Sequence, residues 1–312
     1  MPIKYEIYTV LSEQYPLALT HSIYKPKVLY AKGILPPASG ISDSTDAPNI
    51  ARNDFPVGIA MVGTRRPGSN ARELCHKLIA SLKGTRAVVV SGLAQGIDSY
   101  CHEAALDAGI PTVAVLAQGL DTRIEGSRGQ LAQRILDAGG ALVSQFEPDE
   151  PAYKGNFIAR NKIISGMCAA TLIVQSKTKG GALLTGEFTR KEGKPLYAIP
   201  GDFDSEVSSG PNELLDKGYA NPVFKPENLS CALGLPKRGG ISLKELSTAG
   251  CNIGDTAKDF FTRVNGFRKT FTELQEESGL AVNQLLTILT ELEMAGLAHT
   301  EDNFLFNFNG TT

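Results

Sequence analysis

Residues 157–201 read FIARNKIISGMCAATLIVQSKTKGGALLTGEFTRKEGKPLYAIPG. Their pattern is helix, strand, glycine-rich loop, helix, strand. The first strand is the apolar run Ala170 to Val174, the loop opens at Gly180-Gly181, and the next helix covers Leu183 to Glu192. Such a loop leaves backbone N–H groups free at a helix N-terminus, where an anion such as phosphate can be held. Arg160 and Lys162 lie just upstream, and Arg65-Arg66 follow an earlier strand in the same way.

Working outward, the same alternation extends on both sides. Strand-like runs fall at Gly58–Val62, Ala87–Ser91, Thr112–Leu116, Ala141–Val143, Leu172–Gln175 and Leu196–Ile199. Most are continuous and β-branched, the signature of parallel strands buried on both faces. Helical patterns separate them at Asn70–Leu82, Ser99–Ala108, Arg128–Asp137, Phe157–Met167 and Leu183–Glu192. The fold class is therefore α/β, a Rossmann-like, doubly wound, mostly parallel sheet. Ligands on such sheets bind beyond the carboxyl ends of the strands.

Four segments are expected. Residues 1–56 form a lead-in and a long surface loop rich in Pro, Ser, Asp and Asn. Residues 57–224 form the Rossmann-like domain, and 225–255, with Pro226, Pro236, Gly239 and Gly240, a linker. Residues 256–312 carry helices at Thr256–Val264, Thr272–Glu277 and Val282–Ala295. A strand pair follows at Leu297–Thr300 and Phe304–Phe308, turning at Asp302-Asn303. Three helices and a hairpin predict a small C-terminal winged-helix domain.

The 312 residues carry a net charge of −2, so any polyanion site must be a local basic patch. Five cysteines, odd in number and without a CxxC pair, argue for a reducing compartment and against a zinc cluster. The N-terminus has no apolar leader core and no run approaches 18 apolar residues, so a cytoplasmic location is expected.

The turn VGTRRPGSN has Gly63 and Gly68 at P-loop spacing, but Ser69-Asn70 stand where a P-loop has Lys and Ser/Thr. No G-x-G-x-x-G follows a strand either. No nucleotide cofactor and no metal is expected. What remains is an anion cradle with Gly63, Thr64 and Arg65, flanked by Arg66. Gly92 and Gly96 shape the second strand-to-helix connection, where Asp98 is expected to cap a helix and His102 to pack. Arg160, Asn161 and Lys162 are consecutive or nearly so, and cannot all meet one ligand from a helix. Phe157 reads as part of that helix's apolar core face, with Ile158, Ile163 and Ile164. Lys179, Gly180, Gly181 and Thr185 complete the candidate site.

These motifs resemble the DNA-processing protein A family (DprA, also called Smf). The likeness rests on VGTRRPGSN, VVSGLAQGIDSYCHEAAL, TVAVLAQGLD, FIARNKIISG, KGGALLTGEF, and AIPGD with SSGPNELLDKGYA, in family order from Val57 to about Asn221. The tail is similar to the small winged-helix domain of many members, while a helical N-terminal domain found in some is not expected here. The resemblance implies a homodimer that binds single-stranded DNA without sequence preference and delivers it to a RecA-type recombinase. In transformable bacteria it implies protection of incoming DNA. It assigns DNA contact to Gly63, Thr64 and Arg65, to Arg160 and Lys162, and to the glycine loops. No catalytic residue is implied.

This chain departs from the family pattern in several places. GLDTRIEG lacks the usual Tyr-Pro, Gln175 stands where the strand usually carries Glu, and Gly180-Gly181 replace the usual Ser-Gly-Ser loop. A Gly-Gly loop followed by Thr and Glu also resembles the lysine-decarboxylase-like (LOG) nucleotide phosphoribohydrolases. That alternative makes the chain a hydrolase or nucleotide sensor, with Glu187 and Arg160 acting on a ribosyl bond. The tail carries four basic residues, Lys258, Arg263, Arg268 and Lys269, against eight acidic ones, which argues against duplex reading.

Overall fold

The computed structural model describes residues 5–11, 15–36, 56–235, 254–264, 268–294, 298–301 and 305–308. The chain groups into two compact units, Met1–Leu235 and Pro236–Thr312.

The first unit is built on nine strands: β1 (Ile7–Thr9), β2 (Tyr30–Gly33), β3 (Val57–Val62), β4 (Ala87–Ser91), β5 (Thr112–Val115), β6 (Ala141–Ser144), β7 (Ala170–Ile173), β8 (Leu196–Ala198) and β9 (Asn221–Pro222). Their spatial order is β1-β2-β6-β5-β4-β3-β7-β8-β9. From β3 to β9 all pairings are parallel, whereas β1 and β2 add an antiparallel edge beside β6. The chain steps outward from β3 to β6, then returns so that β7 lies on the other side of β3. That reversal is the crevice where open α/β sheets bind ligands.

Eight helices accompany these strands: α1 (Leu17–Thr20), α2 (Ala71–Ala80), α3 (Ile97–Ala108), α4 (Gly126–Asp137), α5 (Lys154–Gly166), α6 (Gly181–Lys191), α7 (Ser209–Asp216) and α8 (Leu229–Ala232). Successive strand residues point to opposite faces. Ile59, Met61 and Val89 therefore pack with Leu78 and Ile79 of α2 and Ile97 and Cys101 of α3. Ala60, Val62, Val88 and Val90 pack with Ile163 and Ile164 of α5 and Ala182 of α6. A strand covered on both sides needs no polar alternation, which is why β4 reads AVVVS.

The lead-in is a working part of this unit. Glu192, just past α6, has a buried side chain that accepts from the Ser22 hydroxyl and from Ile23 N (3.1 Å). It also pairs with Lys194 at 2.9 Å, whose ammonium reaches the carbonyls of Ser165 and Gly166. The loop expected over 36–56 lies outside the described residues except at its ends, as does the chain at 236–253. Residues 226–235, assigned to a linker by composition, are instead folded. Leu229, Leu233 and Leu235 are buried with α2, and the Tyr197 hydroxyl donates to Ala232 O at 2.6 Å.

The second unit contains α9 (Asp255–Val264), α10 (Phe271–Ser278) and α11 (Val282–Met294), with β10 (Arg268–Thr270), β11 (Ala298–Glu301) and β12 (Leu305–Phe308) in the order β10-β12-β11. Strand β10 was not expected. It leads into a capping box in which Thr270 and Glu273 satisfy each other's backbone N–H groups. Phe261, Leu274, Leu285, Leu289 and Phe306 form the core.

His102 on α3 is fully buried. Its Nδ1 lies 2.7 Å from Thr112 Oγ1, and that hydroxyl donates to Val89 O, so Nδ1 carries the ring proton. Burial, and then the Arg160 charge, push its pKa down to about 3.

Two measurements check this packing. Leu229→Ala should lower urea stability by about 2–5 kcal/mol, as for a core leucine; a linker position would change it by about 0.5 kcal/mol or less. The unfolded chain protonates His102 near pH 6.5 while the folded chain does not. The resulting stability is intact above about pH 6.5 and is lost as pH falls toward 3, at up to about 1.4 kcal/mol per pH unit. His102→Gln should therefore flatten the stability profile between pH 7 and pH 4.

Candidate functional site

A cavity of about 400 Å³ opens at the carboxyl ends of β3 and β7, bounded by the start of α3, by α5 and by the first turn of α6. It brings together Gly63, Thr64, Arg65, Arg160, Asn161, Lys179, Gly180, Gly181 and Thr185 from the sequence-derived set. Arg66, Gly92, Gly96 and Lys162 are not among its lining residues.

The first wall is the turn after β3. Thr64 N donates to Gln175 O at 2.7 Å, and Gly68 N donates to Gln175 Oε1 at 2.9 Å. Gln175, buried past the end of β7, thus folds residues 63–68 down onto its own strand. Arg66 is exposed, and its N–H donates to the Thr64 hydroxyl. Gly96 has φ +88°, and a Cβ there would stand 2.4 Å from Thr64 O. Its smallness packs one loop on another.

Arg160 is 5% exposed. Its Nη1 donates to the carbonyls of Gly92 and Val115, and its Nε donates to Asn161 Oδ1 at 3.0 Å. A Cβ on Gly92 would lie 1.8 Å from that Nη1, so Gly92 makes room for an arginine and not for a ligand. Asp98 completes the arrangement. Expected as a helix cap, it reaches across loops to the backbone N–H groups of Gly63, Gly92 and Ala94. Burial pushes its carboxyl above the usual range, and the Arg160 charge and these N–H groups pull it back. Arg160 in turn is drawn down to about 10, chiefly by burial, and keeps its charge at neutral pH. Its role is to brace the ends of β4 and β5.

Lys162 corrects the sequence reading. Two helical residues further on, it points about 200° away from Arg160. Its ammonium sits over the rings of Tyr24 (5.7 Å) and Phe188 (5.6 Å), on the side that packs against the lead-in. Phe157 corrects it in the opposite sense. The ring lines the cavity, with the Arg65 guanidinium 4.9 Å from its centroid, and Ile158 and Leu184 add exposed apolar wall.

The remaining wall is α6. No side chain caps its N-terminus. A Cβ on Gly180 would collide with Ser176 Oγ at 2.1 Å, whereas above Gly181 there is open space. Backbone N–H groups at this end therefore meet the cavity without a covering side chain, next to Lys179 and the buried Thr185 hydroxyl. The site offers an exposed cation on an aromatic face, an uncapped helix start and an apolar ledge. That combination can hold phosphate on one side and a planar, weakly polar group on the other.

Residues 6–234 match the family described as DNA recombination-mediator protein A. The chain belongs to that family. Protein Smf of Escherichia coli is 34% identical over 242 residues, covering 76% of this chain and 64% of that protein, so the chain spans just under two thirds of that relative. The structure of DprA from Streptococcus pneumoniae superposes with a TM-score of 0.61 at 30% identity, covering 73% of this chain and 74% of that one. DNA processing protein A from Helicobacter pylori gives a TM-score of 0.60 at 29% identity, covering 73% and 96%; its structure describes a single-stranded DNA binding mode. Both likenesses agree with the Rossmann-like sheet seen here.

Gly92→Ala should displace the Arg160 guanidinium and leave Asp98 without its cation. A loss on the order of 3 kcal/mol is expected in thermal or urea unfolding. An unchanged melting temperature would show that Arg160 does not brace the strand ends.

Proposed function

We propose that this protein binds single-stranded DNA without sequence preference, as a homodimer in the cytoplasm, and hands it to a RecA-type recombinase. The observation that carries the DNA reading is the cavity itself: Arg65 lying on Phe157, opposite the uncapped start of α6. A phosphate fits between guanidinium and helix N–H groups, and a base fits against Phe157, Ile158 and Leu184. Base–aromatic stacking is tolerant of sequence because every base has a π-face. The single-stranded DNA binding mode reported for the H. pylori protein supports the same reading, and the family description as a recombination mediator supports the recombinase as recipient.

The hydrolase alternative finds no support in the cavity. Glu187 is paired with Lys191 at 2.8 Å on an exposed stretch of α6 and is not among the lining residues. Asp98 is the one carboxylate that lines the cavity among the described residues, and backbone N–H groups occupy it.

We read residues 256–312 as a winged-helix domain that contacts protein and not duplex DNA. Arg263 pairs with Asp259, Lys258 with Asp255 and Lys269 with Glu277, so these cations already have counter-ions. The outward residues of α11 include Val282 and Leu286 and no lysine or arginine.

One titration tests the assignment, using labelled oligo-dT across a salt series. Arg65→Ala should weaken binding and reduce the slope of log affinity against log salt by about 0.7. Lys162→Ala and removal of residues 256–312 should leave both quantities near wild type. Wild-type affinity in Arg65→Ala at moderate salt would remove the single-strand reading.

A further inference from the structure

We infer that Arg128 is a second phosphate anchor, so that a bound strand leaves the cavity across residues 92–94 toward α4. This rests on the single-strand reading above and adds the path of the strand. No motif led to Arg128. It lies in the first turn of α4, and its Nε donates to Leu93 O at 2.8 Å. Leu93 has φ +52°, the one non-glycine residue in the left-handed region among the described residues.

The loop is thus held at each residue: Gly92 O by Arg160, Leu93 O by Arg128, and the N–H groups of Gly92 and Ala94 by Asp98. Ala94 lines the cavity beside Arg65. Arg128 is half-buried with only its Nε committed, which leaves the terminal guanidinium nitrogens as donors.

Charge bookkeeping points the same way. Arg65 repels both Arg128 and Arg160, those two repel each other, and Asp98 attracts Arg128 and Arg160. Two positive charges are left over. Some exposed cations of this unit are matched: Arg72 by Glu103, Lys177 by Glu206, and Arg134, on the same helix as Arg128, by Asp107. Among the described residues, neither Arg65 nor Arg128 has such a partner. A phosphodiester carries one negative charge, so two successive phosphates match the excess. A single terminal phosphate monoester, with close to two charges at neutral pH, is the other source of that charge.

The test uses the full chain with oligo-dT carrying either a 5′-hydroxyl or a 5′-phosphate. Arg128→Gln should weaken binding of both strands about tenfold and lower the salt slope by about 0.7. Arg128→Lys should restore the slope, which a role confined to bracing Leu93 would not alter in the first place. Arg134→Gln is the control on the same helix and should match wild type. Melting temperatures establish that each variant is folded. The inference is overturned if Arg128→Gln keeps wild-type affinity and slope while Arg65→Ala is weakened. It is also overturned if wild type prefers the 5′-phosphate strand and Arg128→Gln abolishes that preference, which would make this a strand-end site. Failure of the wild-type chain to bind either strand would instead remove the underlying single-strand reading.

Discussion

The attraction between the buried charges of Arg160 and Asp98 underlies the whole site. Neither group could be left alone in the interior, because an unpaired buried ion costs several kcal/mol. Together they are tolerated because both also bond to backbone, while the Nε of Arg160 donates to the Asn161 side chain. Arg160 takes the carbonyls ending β4 and β5, and Asp98 takes N–H groups from the loops after β3 and β4. Three strands that would otherwise end independently are thereby tied into one floor. Arg65 can remain exposed at the rim because another arginine already does the structural work beneath it.

This division of labour explains why two arginines beside glycine-rich turns have opposite roles. Gly92 is small so that a guanidinium can reach its carbonyl. Gly181 has nothing above it, so there a ligand can approach the backbone. A glycine in a strand-to-helix turn therefore says that something comes close, and only the packing says whether it is the protein itself.

The sheet was legible because its strands are continuous apolar runs: Val88–Val90 suits no surface, and the intervening helices keep a clear apolar stripe. The candidate site was legible where a motif sits at a strand end, as with Gly63 to Arg65 and Gly180-Gly181. It was not legible where function depends on which way a helix is turned. Arg160 and Lys162 differ by two residues and face opposite sides, while Phe157 shares an apolar pattern with Ile163 yet stands at the helix's open end. Nor does local pattern show contacts made across the fold. Asp98 looks like a cap because helices often begin with Asp, but its backbone partners come from two separate loops, those after β3 and β4. Leu229 and Leu233 follow prolines and polar residues, so their burial against α2 left no periodic trace.

Helix α6 joins two places that differ in kind. Its first turn walls the cavity, and the residue just beyond its last turn, Glu192, is the anchor of residues 22–23. Eleven residues make a stiff rod about 16 Å long. Pushing on one end must load the other, since hydrogen bonds along the rod hardly stretch. Residues 22–23, in the chain between the two strands of the antiparallel border, are in this way tied through one stiff element to the wall of the cavity.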